Sequence, residues 1–181
     1  MRTGFWVFLV WIGCCFSVAA QSSTLDARIT FKIRNFGLMV NGSITGLEGE
    51  IRFDPENLSA SVFNVSVDAN SVDTGITLRD NHLREETYLH VKKYARIKFA
   101  SFNITRNNEL NKWILTGELT IKGVTRKVSF PFSVSKENDA SHFMGEFKIN
   151  RRDYGVGGKS LSMADEVTVM LNVKAKPSVL K

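Results

Sequence analysis

The sequence predicts an all-β protein of eight antiparallel strands with one short helical insertion. Three observations predict it. Apolar and polar residues alternate with period two over most of the chain beyond residue 25, the pattern of half-buried strands. The gaps between the alternating runs are short and turn-like, as in antiparallel meanders. A single segment departs from this pattern and carries helical spacing instead.

The first strand sets Ile29, Phe31 and Ile33 against Arg28, Thr30, Lys32 and Arg34. The second lies in the glycine-rich stretch Gly42 to Phe53, where Leu47, Ile51 and Phe53 share one parity and Asp54-Pro55 marks the turn that ends it. Phe63, Val65 and Val67 form the third, opposite Asn64, Ser66 and Asp68. Ile76 to Glu85 then reads as the helix: Leu83 falls seven residues after Ile76 and four after Arg79, with Gly75 as the boundary. A second short segment near Thr87 to Val91 follows it. The fourth strand begins with Ile97 and Phe99 but continues on the other parity with Phe102 and Ile104, which predicts a bulge near Ala100. Trp113, Leu115, Leu119 and Ile121 form the fifth. Lys122-Gly123 is a tight-turn signal, and Val124, Val128, Phe130, Phe132 and Val134 follow as the sixth. Phe143, Phe147 and Ile149 make the seventh, and Val167, Val169, Leu171 and Val173 the eighth.

Eight such strands close into a barrel or split into a sandwich. Closure removes the edges that an exported protein must otherwise protect. An eight-stranded bore is either filled by side chains or holds one small ligand. An outer-membrane barrel needs an apolar band outside and a polar interior. Here the polar parities carry Arg28, Lys32, Lys127, Lys148 and Lys174, which puts charge outside and oil within, so the water-surrounded barrel is the better fit.

The composition agrees. The chain has 181 residues, 43% of them hydrophobic and 23% charged, which excludes a disordered or collagen-like protein and suits one domain. The first twenty residues read as a secretory signal peptide: Arg2, the apolar run Phe5 to Ile12, and Val18-Ala19-Ala20 before a cut at Gln21. The apolar run is too short to span a bilayer. A lipoprotein signal through Cys14 fits less well, because Trp11 and Ile12 make a poor lipobox. Residues 21–181 then form the domain, and the protein is expected in the periplasm or outside the cell. Removal of Arg2 lowers the net charge from +6 to +5. Both cysteines, Cys14 and Cys15, leave with the leader, so no disulfide or thiolate chemistry is available to the domain. The basic residues are spread along the chain, and no nucleic-acid partner is expected.

Several stretches resemble the YceI-like family of lipid- and polyisoprenoid-binding proteins. They are Thr74 to Leu83 (TGITLRDNHL), Tyr94 to Ser101 (YARIKFAS), Thr116 to Lys127 (TGELTIKGVTRK), Ile149 to Gly155 (INRRDYG) and the closing strand after Asp165-Glu166. The resemblance spans about residues 25 to 175. The chain departs from the family at Ala95, where a proline is usual, and at Asn35, where a histidine often stands. The resemblance implies an exported lipocalin-like barrel that holds a long isoprenoid chain in its bore.

On the residues alone, Phe31, Phe63, Phe99, Trp113, Phe130, Phe132 and Phe143 would fill a dry core. The resemblance makes them the lining of a ligand lumen instead. Gly42, Gly46, Gly117 and Gly145 leave gaps that suit an open bore. An anionic head group would need donors at the mouth, with Arg79, Arg84, Lys92, Lys93, Arg151 and Arg152 as candidates; Arg84, Lys92 and Arg151 are named for it. Arg79-Asp80 and Arg152-Asp153 read better as ion pairs that anchor loops.

Other motifs carry less. Asp153 to Ser160 nearly spells a phosphate loop, but Asp153 stands where the first glycine belongs, so a glycine-rich turn is the reading. His82 and His90 lack the spacing that puts two metal ligands on one helix face, and His142 is isolated. No cofactor, metal set or serine elbow is expected. Asn41, Asn57, Asn64 and Asn103 each open an N-x-[ST] sequon, inert in an exported bacterial protein. The sequence therefore points to a protein that binds and carries a long-chain isoprenoid or related lipid, with room for peripheral contact with a membrane. Two alternatives stand beside it: an envelope stress or interaction protein with a filled barrel and a working basic surface, and an enzyme acting on a lipid or quinone.

Overall fold

The alternating runs resolve into one antiparallel sheet. The computed structural model describes residues 24–109 and 111–176; the expected leader, its cut before Gln21 and Cys14 lie outside them. The strands are β1 (Thr24–Asn35), β2 (Leu38–Ile44), β3 (Glu48–Arg52), β4 (Val62–Asp68), β5 (Arg96–Asn107), β6 (Lys112–Ile121), β7 (Val124–Glu137), β8 (Ala140–Asn150) and β9 (Met163–Lys176). They are ordered β2-β1-β9-β8-β7-β6-β5-β4-β3. Except for β2 and β3, neighbours in sequence are neighbours in the sheet, and β9 returns to pair with β1 over eleven residue pairs from Thr24–Lys176 to Asn35–Met163.

Nine strands stand where eight were expected, because the second strand is broken. It begins earlier, at Leu38, and kinks at residues 45–47 into β2 and β3. Gly46 turns there with φ +71°, and a Cβ on it would lie 3.0 Å from the Cβ of Asp68, so the kink needs glycine. β2 pairs with β1 and β3 with β4, at opposite ends of the strand order. One kinked strand thus draws the two edges of the sheet together. Arg96 fastens the kink: its Nη2 donates to the Gly46 carbonyl at 2.9 Å and pairs with Glu48 at 3.2 Å. Ser43 and Asp73 exchange backbone hydrogen bonds of 2.8 and 3.0 Å across the seam, and Asp68 N–H donates to the Thr45 carbonyl. Edge groups that would otherwise template aggregation are satisfied in this way.

The turns follow their residues. Phe36-Gly37 and Lys122-Gly123 are two-residue hairpin loops with positive φ at both positions, as tight type I′ turns require. The bulge in β5 lies at Phe102, two residues beyond the expected position. Pairing with β6 slips between Ser101 and Asn103, which turns Ile104 inward and leaves Phe102 exposed outside. Helix α1 (Thr77–Arg84) falls inside the expected span, between β4 and β5. The near-phosphate loop is a 3-10 turn, Arg151–Tyr154, followed by Gly155 and Gly157 at positive φ, so it opens no helix.

Candidate functional site

The apolar parity of every long strand faces inward, and the side chains do not meet in the middle. They leave a cavity of about 680 Å³, within the range usual for small-molecule sites. A filled barrel is therefore not what these residues build.

The cavity has a floor. Phe63, Phe132 and Phe143 form it, and Phe53 is the hub behind them, outside the lining itself: its ring lies 5.5 Å from that of Phe132, 6.0 Å from Phe143 and 6.3 Å from Phe63, the first two edge-on. Edge-to-face contacts of this kind add to simple burial. All four residues sit near the strand ends opposite α1. Trp113 packs beneath, edge-on to Phe53 at 5.2 Å, with the Arg106 guanidinium 5.1 Å from its ring. Trp113 therefore belongs with Phe53 to the plug under the floor and not, as expected, to the lining, which includes neither.

Rings and glycines make the walls. Phe130 stacks on Phe147 at 4.5 Å, and Phe99 leans on Phe130 at 5.9 Å. Gly42 pairs with Phe31 across β1–β2, and a Cβ at Gly42 would lie 2.2 Å from the Phe31 ring. A Cβ at Gly117 would lie 2.5 Å from the Phe99 ring. The glycine gaps are thus occupied by aromatic rings lying against the wall, and the open space is in the centre of the bore. Gly46 serves the kink instead. Of the expected lumen residues, Phe31, Phe63, Phe99, Phe130, Phe132 and Phe143 line the cavity.

The opposite end is the mouth. Asn35 and Phe36 from the β1–β2 turn, Thr74 to Leu83 around α1, and Ser160 to Met163 before β9 surround it. Tyr88, Leu89 and Tyr154 complete the inner rim. Tyr154 is only 2% exposed, and burial pushes its phenol above the usual tyrosine range, with the Asp153 charge adding to the effect and Arg126 opposing it.

The head-group donors named from sequence are otherwise engaged. Arg151 is 3% exposed, and its guanidinium donates to the carbonyls of Ala164, Val156, Gly158 and Met163 and to Asp165 at 2.8 Å. Arg152 also pairs with Asp165, at 3.2 Å, so the anchoring carboxylate is Asp165 and not the adjacent Asp153. Arg84 donates to the carbonyls of Asn70 and Val72 and to Asn81, holding the strand-to-helix segment. Lys92 is exposed and is not part of the lining. Arg84 and Arg151 build the mouth's walls; neither is free to grip a ligand.

Beside Arg151 and Lys98, the lining includes Arg79. Its Nε and Nη2 donate to the hydroxyl and carbonyl of Thr74, and the buried Asp80 accepts from the amide and hydroxyl of the same threonine. Arg79 and Asp80 are thus linked through Thr74 rather than paired directly. The signal was present in the spacing: Ile76, Arg79 and Leu83 share one helix face. Phe53 and Phe147 were legible in the same way, since each shares the inward parity of its strand. His82 also lines the mouth, edge-on to Tyr88 at 5.2 Å; His90 packs on Tyr94, and His142 bonds Asn172.

Comparison with known proteins places this geometry in context. The model of the YceI-like domain matches residues 19–175. Protein YceI of Salmonella arizonae is 30% identical over 156 residues, covering 82% of this chain and 80% of that protein. Among solved structures, BcnA of Burkholderia cenocepacia superposes with a TM-score of 0.77 at 23% identity, covering 83% of this chain and 96% of its own. A polyisoprenoid binding domain from Saccharophagus degradans, implicated in plant cell wall breakdown, superposes with a TM-score of 0.68 at 14% identity, covering 87% of this chain and 99% of its own.

Proposed function

The chain belongs to the YceI-like domain family, and from that premise we propose that it is a binding protein holding a long-chain isoprenoid, or an equally apolar extended lipid, in the barrel. The observation that carries this is the cavity: apolar walls, an aromatic floor and a mouth beside α1. Each methylene taken from water contributes about 0.8 kcal/mol, less the cost of ordering the chain. About a dozen buried carbons therefore suffice for tight binding with no covalent step. The structural neighbour described as a polyisoprenoid binding domain supports the same ligand class.

The finer reading has three parts. Arg79 at the mouth accommodates an anionic head such as a polyprenyl phosphate, while a quinone-like head fits without it. Residues 1–20 support export to the periplasm or beyond. Transport or storage in the envelope is then the role that a noncovalent site suits.

The test is extraction. The purified protein, denatured into organic solvent, is expected to release one lipid per chain on mass spectrometry, and the stripped protein to take up a fluorescent prenyl analogue. Phe132→Asp, which sets a charge in the floor, should abolish that uptake. Absence of both lipid and uptake in the unaltered protein would overturn the reading.

A further inference from the structure

The mouth is ringed by apolar side chains that none of the described residues covers. Phe36 is 79% exposed and Leu78 81%, and Leu38, Met39, Ile76 and Leu161 are also exposed. They come from three segments, the β1–β2 turn, α1 with its approach, and the loop before β9. These segments meet at one place: Phe36, Ile76 and Leu78 all border the cavity, and the Phe36 N–H donates to the Ser162 carbonyl at 2.8 Å, beside Leu161.

Phe36 is also conformationally costly. It sits at φ +49°, first in a two-residue turn where asparagine or glycine is the usual choice. A bulky ring held there and turned to solvent gains nothing for the fold, and such outliers mark functional positions. Arg34, cross-strand from Met39, and Lys159, two residues before Leu161, flank the apolar side chains. Both are exposed and make no ion pair among the described residues. Asp73, the nearby exposed carboxylate, accepts from the Gly75 amide.

We propose that this rim docks on an anionic lipid bilayer, with Phe36, Leu78 and their neighbours inserted among the head groups and Arg34 and Lys159 against lipid phosphates. The inference rests on the cavity's holding a lipid. Its physical logic is that an apolar chain leaving a bilayer for the bore should not cross water, and apolar residues flanked by cations are the known form of interfacial anchors. A protein partner would favour a continuous flat patch; three separate loop tips around an opening suit a soft, fluid surface better.

The test is flotation of the protein, as purified from its producing cells, with phosphatidylcholine vesicles containing or lacking phosphatidylglycerol. Binding is expected to the anionic vesicles and to weaken with salt. The double variant Leu38→Asp, Leu161→Asp, at exposed rim positions outside the cavity lining, should lower partitioning about tenfold or more. It should leave the melting temperature unchanged and uptake of a fluorescent prenyl probe from detergent solution intact. Arg34→Glu with Lys159→Glu should remove the preference for anionic lipid. Phe102→Asp, an exposed aromatic outside the mouth, should change nothing. Undiminished flotation of the double variant, or equal loss in Phe102→Asp, would overturn the proposal. So would a dimer by light scattering that the double variant dissolves, without vesicle binding. Failure of the unaltered protein to take up the probe would instead overturn the cavity reading, and flotation would still report on the rim.

Discussion

The ring of Phe31 lies against Gly42, its hydrogen-bonding partner across β1 and β2, so closely that a Cβ at 42 would fall 2.2 Å from the ring's Cζ. Phe99 packs as closely on Gly117, its diagonal neighbour across β5 and β6, where a Cβ would fall 2.5 Å from the ring. Glycine has no side chain to hold the ring off the sheet, so the aromatic surface lies along the wall and the axis of the bore stays open. The cavity is a product of ring and glycine pairs, not of small residues alone.

Gly42→Ala tests this relation. The displaced ring has room to swing into the bore, so the stability cost should stay near the lower end of overpacking, about 1 kcal/mol. Uptake of a prenyl probe should fall, because the ring now occupies ligand volume. Phe31→Leu added to Gly42→Ala should restore it. Titration and thermal melting of the three variants decide the matter.

Phe53→Ala removes the hub of the floor, which touches the rings of Phe63, Trp113, Phe132 and Phe143. It should cost about 3 kcal/mol of stability. The deeper bore should then favour longer chains. Competition between prenyl alcohols of graded length, in the variant and the unaltered protein, reads out the shift.

Arg151 is a structural cation whose removal leaves four backbone carbonyls without their donor and Asp165 with Arg152 alone. Arg151→Ala should cost about 3 kcal/mol, which lowers the melting temperature by about 10 °C in a domain of this size. Arg151→Lys should recover little of it, since an ammonium cannot reproduce the fork of donors. Calorimetry checks both.

Tyr154 sets a pH dependence. Its folded pKa lies above the ordinary tyrosine value, because burial disfavours the phenolate. The fold thus holds this proton more tightly than the unfolded chain does. The stabilisation is fully present below about pH 10 and is lost as pH rises through the folded value. Lys148 and Lys174, whose pKa values are raised by hydrogen bonds to Glu166 and Glu137, lose their contribution in the same direction. Tyr154→Phe removes only the tyrosine's share, so denaturant unfolding of the variant above pH 10 should decline less steeply than that of the unaltered protein.

The sequence by itself determined the antiparallel β class, the place of the helix and the tight turn at Lys122-Gly123, because period-two burial and turn chemistry are local. The inward parity put Phe31, Phe63, Phe99, Phe130, Phe132 and Phe143 on the cavity side for the same reason. It did not separate Trp113 from the lining, since parity says which face a residue takes and nothing about its height along the bore. The tertiary structure alone decided that height, and with it the floor centred on Phe53. It alone decided the break at Gly46 too, which depends on Asp68 and Arg96 arriving from strands distant in sequence. The charges show the same limit. Arg79 and Arg151 border the cavity while Arg84 does not, all three donate to backbone carbonyls, and no pattern of residues shows where a guanidinium will find its acceptors. Those acceptors are backbone atoms, present at every position and distinguished only by the fold.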